Sequence, residues 1–300
     1  MMSRSILLVL VSLVLLVGAP ADGAKTFATP NEARDALIQA AAISLDAVRS
    51  LLGPGSNEIV RTGDPVEDKI VLDRFNQQAA QKAEVQVDPK KPNRATLLLG
   101  EEQWPFAIPL ERKNGRWFFD IQAGETEIRR RIIGGNELDA IEICRGYVDA
   151  QEEYAVTDWA GEEVPQYARK IVSAPGKKDG LYWPGEDSPV AEGFAKAIAS
   201  GYAVPTGTSG PRPYHGYFYK ILMAQGPDAK GGAQNYLVHG LMIGGFGLVA
   251  WPAEYGVSGI MTFIVNQDGV VYEKNLGPQT STLVEAITEF NPDRSWRVSP

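Results

Sequence analysis

Chemistry-bearing residues are scarce in this chain: 300 residues hold one cysteine, Cys144, and two histidines, His215 and His239. A single cysteine excludes an intramolecular disulfide, and no paired Cys-x-x-Cys or His-Glu-x-x-His spacing exists to hold zinc. A metal centre would have to recruit Glu254 or Asp228 as a third ligand beside the two histidines, so no metal or other cofactor is expected. Basic charge is short as well. Lys and Arg number 29 against 37 Asp and Glu, a net charge of −8, and no basic stripe is long enough to follow a phosphate backbone. Nucleic acid is therefore excluded as a partner. Long apolar runs are also missing: the longest, Ile6–Val17, spans twelve residues with one serine in it, short of the ~20 that a membrane-crossing helix needs. Internal repeats and low-complexity segments are absent too.

What that short run does fit is an export signal. Arg4 supplies the positive start, and Ala19-Pro20-Ala21 offers small residues at the cleavage positions, with the mature chain beginning at Asp22. No cysteine follows, which excludes a lipoprotein. The expectation is a signal peptide over 1–21, a periplasmic or secreted location, and no stable membrane insertion once the signal is removed.

The mature sequence opens on helices. Thr29, Pro30 and Glu32 form a capping box with proline at the first helical position, predicting a helix to Ile43. Ser44 restarts a second helix that Gly53-Pro54-Gly55 ends, and a third helical patch lies near 69–82. From Glu84 the period shortens to that of strands: Val85 and Val87, Ala95–Leu99, Phe106–Leu110 and Arg116–Ile121, the last two joined by an Asn114-Gly115 hairpin. Glu125–Ile133 reads as a short helix that stops at Gly134-Gly135. Asn136 then caps a second helix to about Tyr154, with an apolar stripe of Leu138, Ile141, Cys144 and Val148. On that stripe Cys144 is a small buried hydrophobe rather than a nucleophile.

Residues 213–278 hold 12 of the 31 glycines and only seven charged side chains, the composition of a buried sheet with tight turns. Strands are predicted at about 216–223, 235–239, 246–251, 259–265 and 270–274. Residues 259–265 should form a central strand covered on both faces, with a hairpin turn at 266–269. Thr282 and Glu285 predict a last capped helix through Phe290. The fold class is α+β: two small domains, 25–133 and 136–300, each with helices packed on a mainly antiparallel sheet.

The segments FATPNEARDALIQA, WPFAIPL, RWFFD, GNELDAIEICRGYVDAQEEYA and PGKKDGLYWP, followed by YHGYFYKILMAQGP and GFGLVAWPAEYGVSGIMTFIVNQDGVVY, resemble the bacterial exported family catalogued as domain of unknown function 2950. The resemblance runs from Phe27 to the C-terminus and implies no activity, substrate or site residue. The layout of 25–133 is similar to the cone-shaped folds related to nuclear transport factor 2 and cystatin. That of 136–300 is similar to the globular part of pilin-like proteins, without a prepilin processing site or long apolar helix.

No catalytic constellation stands out. Gly256-Val257-Ser258-Gly259 and Gly207-Thr208-Ser209-Gly210 miss nucleophile-elbow spacing, and Gly244-Gly245-Phe246-Gly247 precedes a strand rather than a phosphate-binding helix. Asp158, Glu162 and Glu163 could hold calcium with backbone carbonyls, though a solvated acidic loop needs no such ion. The candidate site is aromatic: Trp183, Tyr214, His215, Tyr217, Trp251 and Tyr255, with Glu254 beside Trp251-Pro252. Such residues at strand ends make a sugar- or peptide-binding platform, and serve equally as core and rim of a sheet. The expected function is non-enzymatic binding or scaffolding in the cell envelope, with another envelope protein or a cell-wall component as partner. The alternative is a hydrolase acting on a cell-wall or extracellular substrate, with His215 or Glu254 as general base.

Overall fold

A computed structural model describes residues 25–60, 65–159, 161, 164–185, 187–190 and 213–300. The expected signal peptide, Glu162, Glu163 and the 207–210 loop lie outside the described residues. The chain is a mixed α+β protein with antiparallel sheets, and it divides into two compact units, one ending at Ile128 and the other starting at Arg129.

In the first unit, helices α1 (Pro30–Ile43) and α2 (Leu45–Leu52) form where their caps require. Thr29 accepts from the Glu32 amide, and Ser44 closes α1 while its hydroxyl accepts from Ala47. Gly53, at φ +87°, ends α2. Short α3 (Asn57–Val60) and longer α4 (Pro65–Gln81) follow. The sheet runs β1 (Ala83–Asp88), β2 (Lys91–Leu99), β4 (Leu110–Lys113), β5 (Arg116–Phe119), with β3 (Trp104–Pro105) also on β2. Asn114 and Gly115 both take positive φ in the β4–β5 turn, as that hairpin demands. The strand expected at Phe106–Leu110 begins only at Leu110. The prolines at 105 and 109 have no amide hydrogen to continue a ladder. Leu37, Leu52, Leu97, Leu110 and Phe119 centre the core.

Helix α5 (Ile121–Tyr154) corrects the sequence reading. It runs unbroken through Gly134-Gly135 where a stop was expected. Two helical glycines cost about 1 kcal/mol each, a deficit that burial along the following turns offsets. Asn136 is consequently not a cap; its side chain donates to the Ser258 carbonyl at 2.8 Å. Leu138 is 65 % exposed rather than buried, and the inward stripe instead uses Ala140, Ile141, Cys144, Tyr147, Val148, Gln151 and Tyr154.

That stripe covers one face of the second unit's main sheet, ordered β14 (Arg297–Val298), β13 (Tyr272–Asn275), β12 (Met261–Asn266), β11 (Gly247–Pro252), β6 (Tyr217–Leu222). Every ladder in it is antiparallel. Tyr217, Tyr219, Leu248, Ala250, Phe263 and Val265 face the helix, whereas Leu222, Val249 and Ile264 join a separate cluster with Val284 and Phe290. β12 is therefore central and covered on both sides, as its apolar alternation predicts, and the turn after it has Gly269 at φ +72°. Two short ribbons stand beside this sheet: β7 (Ala224–Gln225) with β8 (Gln234–Asn235), and β9 (Leu237–Val238) with β10 (Leu241–Met242). The final helix is also corrected. α6 covers only Thr280–Leu283 before a 3-10 turn at Val284–Ala286, and no side chain caps its start. Phe290 leaves the helix because its amide donates to Ala224 and its carbonyl accepts from Gly226.

Candidate functional site

The turn entering β6 is built by two left-handed residues, His215 at φ +47° and Gly216 at φ +72°, between Tyr214 and Tyr217, whose backbones exchange two 2.9 Å hydrogen bonds. Position 216 favours glycine: its φ of +72° strains other residues, and a Cβ there would stand 2.5 Å from the Asn136 side-chain nitrogen and displace it from Ser258. The turn presents the His215 ring edge-on to Tyr214, with centroids 4.3 Å apart, and places Nδ1 2.6 Å from Oδ2 of Asp139 on α5. Against a carboxylate, Nδ1 carries the hydrogen and donates to Asp139. Both partners remain over 40 % exposed.

Neighbouring polar groups on the same turn of α5 are committed to backbone. Oε1 of Glu137 accepts from the amides of Ile260 and Met261 at 2.9 and 3.0 Å, and Asn136 holds Ser258. Ser258 Oγ in turn bonds the Glu254 amide and carbonyl, closing the 254–258 turn on itself. Among the described residues His215 is joined to Asp139, not to Glu254. His239, expected in a strand, instead occupies the β9–β10 turn at φ +52°.

The seven candidate residues do not form one surface. Tyr214 and His215 share the corner just described, and Glu254 and Tyr255 occupy the turn after β11, which Ser258 brings to Gly216. Tyr217 is fully buried beneath the sheet, its hydroxyl donating to the Met261 carbonyl, and burial pushes its phenol far above the usual range. Trp251 lies on the opposite face, against Phe218. Trp183 belongs to the same core as Tyr217 but is buried in the 181–183 segment rather than presented at the corner. It is 4 % exposed, its ring lies tilted 5.0 Å from Trp159, and its indole nitrogen donates to Asp187. The Lys178 ammonium sits 4.4 and 4.8 Å from the Trp159 and Trp183 ring centroids and pairs with the same Asp187. Hydrogen bonds from Lys178 and from the Trp183 indole hold that carboxyl below its ordinary range. Trp183 is thus a packing residue. No group of three or more His, Cys, Asp or Glu able to hold a metal occurs among the described residues.

A groove that the sequence reading missed lies on the sheet face away from α5. It has a volume of about 640 Å³ and a mixed lining: Ile264, Leu283, Ile287 and Trp296 alternate with Lys274, Asn275, Thr288, Glu289 and Asn291. Asp293 positions the indole. Its carboxylate accepts the Ser295 hydroxyl and amide, which hold it below its ordinary range, and its carbonyl accepts the Trp296 amide. Lys274 Nζ stands 5.6 Å from the Trp296 ring centroid. Trp251 and Trp296 pack against the same cluster, so this face collects one candidate aromatic and one that was overlooked. The available signal was Trp296 itself, an aromatic in a polar C-terminal segment after Asn291-Pro292-Asp293.

The family described as Protein of unknown function (DUF2950) matches residues 24–298. No curated protein and no solved structure matches the chain.

Proposed function

The chain belongs to this family, protein of unknown function DUF2950, and because membership supplies no activity, we propose that it is an exported, non-enzymatic binding protein of the cell envelope. In this reading residues 1–21 are a signal peptide, the two compact units divided between Ile128 and Arg129 are its domains, and the ligand is a cell-wall glycan. One observation carries it: the groove of about 640 Å³ beside Trp296. Its size suits a small-molecule ligand, and its lining is mixed, with Lys274, Asn275, Thr288, Glu289 and Asn291 beside Ile264, Ile287 and Trp296, which suits a polar ligand that also carries an apolar face. An indole with Lys274 and Glu289 beside it offers the apolar face and polar tips that a sugar ring presents in return. The test is co-sedimentation of the full chain with purified peptidoglycan, together with Trp296→Ala. Retention by wild type and a loss of about tenfold or more in the variant are expected. Equal retention of both proteins would remove the groove from the reading. One dominant protein crosslinked in the native envelope, with no affinity for wall polymer, would replace the glycan with an envelope protein.

A second reading, a hydrolase, is favoured by one contact, His215 Nδ1 to Asp139 Oδ2 at 2.6 Å. A carboxylate that fixes the tautomer and orientation of an exposed imidazole is the base half of many hydrolytic sites. Release of soluble fragments from wall polymer that is abolished in His215→Ala and reduced in Asp139→Asn would establish it. Absence of release by wild type would end it.

A further inference from the structure

The helical layer of the first unit holds a cavity of about 120 Å³, partly open to solvent, whose described lining side chains are all apolar. Leu37 of α1, Val48 and Leu52 of α2, Leu72 and Phe75 of α4 and Ile108 of the β3–β4 connection form its walls. A well-packed interior leaves few voids larger than one water, and water has no polar partner among these side chains. Apolar cavities of roughly 150 Å³ stay dry and take up benzene-sized guests, so this one is of the right order for a single hydrocarbon group. It is also reachable: Val71, which lines it, is 48 % exposed. Apolar surface continues outside on the same helix, where Ile70 is 52 % and Val66 68 % exposed. A ring-shaped guest would end inside the cavity. A chain would continue onto that outer surface.

We infer that this cavity is a binding site for the end of one straight hydrocarbon chain, with the chain's polar head left in water. The inference is independent of the groove beside Trp296. It is tested by methyl-detected NMR of the full chain titrated with straight 1-alkanols from butanol to octanol, and separately with benzene. Shifts confined to methyls that line the cavity, those of Leu37, Val48, Leu52, Val71, Leu72 and Ile108 among them, are expected. Affinity should rise about fourfold per added methylene until the cavity is full, after on the order of five carbons, and in clearly smaller steps beyond that, where the chain lies on the exposed surface of Val66 and Ile70. Ala41→Leu, which fills the cavity from α1, should abolish those shifts. If that variant does not fold, Ala107→Leu fills it from the β3–β4 connection and should do the same. Four outcomes would overturn the inference: no methyl shifts, affinity that rises by the same factor per methylene all the way through octanol, benzene bound in preference to every alcohol, or a folded filled variant that binds as wild type does.

Discussion

Gln151 grips the backbone of Ala168 in both directions: its Oε1 accepts the Ala168 amide and its Nε2 donates to the Ala168 carbonyl, each at 2.8 Å, with the side chain fully buried. The same Nε2 reaches the Tyr147 hydroxyl, which bonds the Gly247 carbonyl, so one glutamine ties the 164–170 segment to both α5 and β11. Each buried partner left unsatisfied costs about 1–3 kcal/mol. Gln151→Ala should therefore lower the unfolding free energy of the second unit by about 3 kcal/mol or more, measured by urea denaturation. A loss below about 1 kcal/mol would mean that the network relaxes or fills with water.

Glu137 makes a corresponding tie near the middle of α5, where one carboxylate oxygen satisfies the successive amides of Ile260 and Met261. Glu137→Ala should cost about 2 kcal/mol, since both amides lose their acceptor. Glu137→Gln keeps an oxygen in place and should cost less than half as much. Equal losses in the two variants would show that the charge, not the acceptor geometry, holds the turn.

Gly259 is required for space. A Cβ there would lie 2.2 Å from the Tyr217 hydroxyl and 2.6 Å from its ring, and Tyr217 is held from behind by its bond to Met261. Gly259→Ala should destabilise by about 1–3 kcal/mol through overpacking. Adding Tyr217→Phe should recover part of that loss, a non-additivity that a double-mutant cycle would read directly.

Alkaline pH should unfold this protein early. Burial raises the Cys144 thiol from 9.0 to about 12, and burial with the nearby Asp179 charge raises the Tyr154 phenol from 10.0 to about 12. Between pH 9 and 12 the unfolded chain releases these protons while the folded chain retains them, so ionisation favours the unfolded state. Stability should be level with respect to these groups below pH 9 and fall progressively above it, as read by urea midpoints at pH 7, 9 and 10.5. A rise over that range would contradict the burial. Cys144 should likewise resist thiol reagents in the native chain and react once urea is added.

The sequence by itself determined whatever depends on a residue and its immediate neighbours. The caps at Thr29 and Ser44, the stop at Gly53, the hairpins at Asn114-Gly115 and 266–269, and the doubly covered strand through Phe263 all follow from local φ preference, side-chain-to-backbone reach and apolar alternation. Family membership was legible in the same way, in long runs such as GFGLVAWPAEYGVSGIMTFIVNQDGVVY. Only the tertiary structure decided which local signals prevailed. Gly134-Gly135 did not stop α5, and Phe290 left its predicted helix to bond Ala224, 66 residues earlier in numbering (290 − 224). The candidate aromatics were divided between the two faces of a sheet, Trp183 and Tyr217 in the core on the α5 side and Trp251 on the other, since strand register fixes the face on which each strand side chain emerges. His215 found Asp139, and Trp296 found its groove, through contacts that no spacing along the chain encodes. Local rules act within a turn or two of backbone. A site is assembled from residues that meet only after sheet register and helix packing have chosen among the partners the sequence allows.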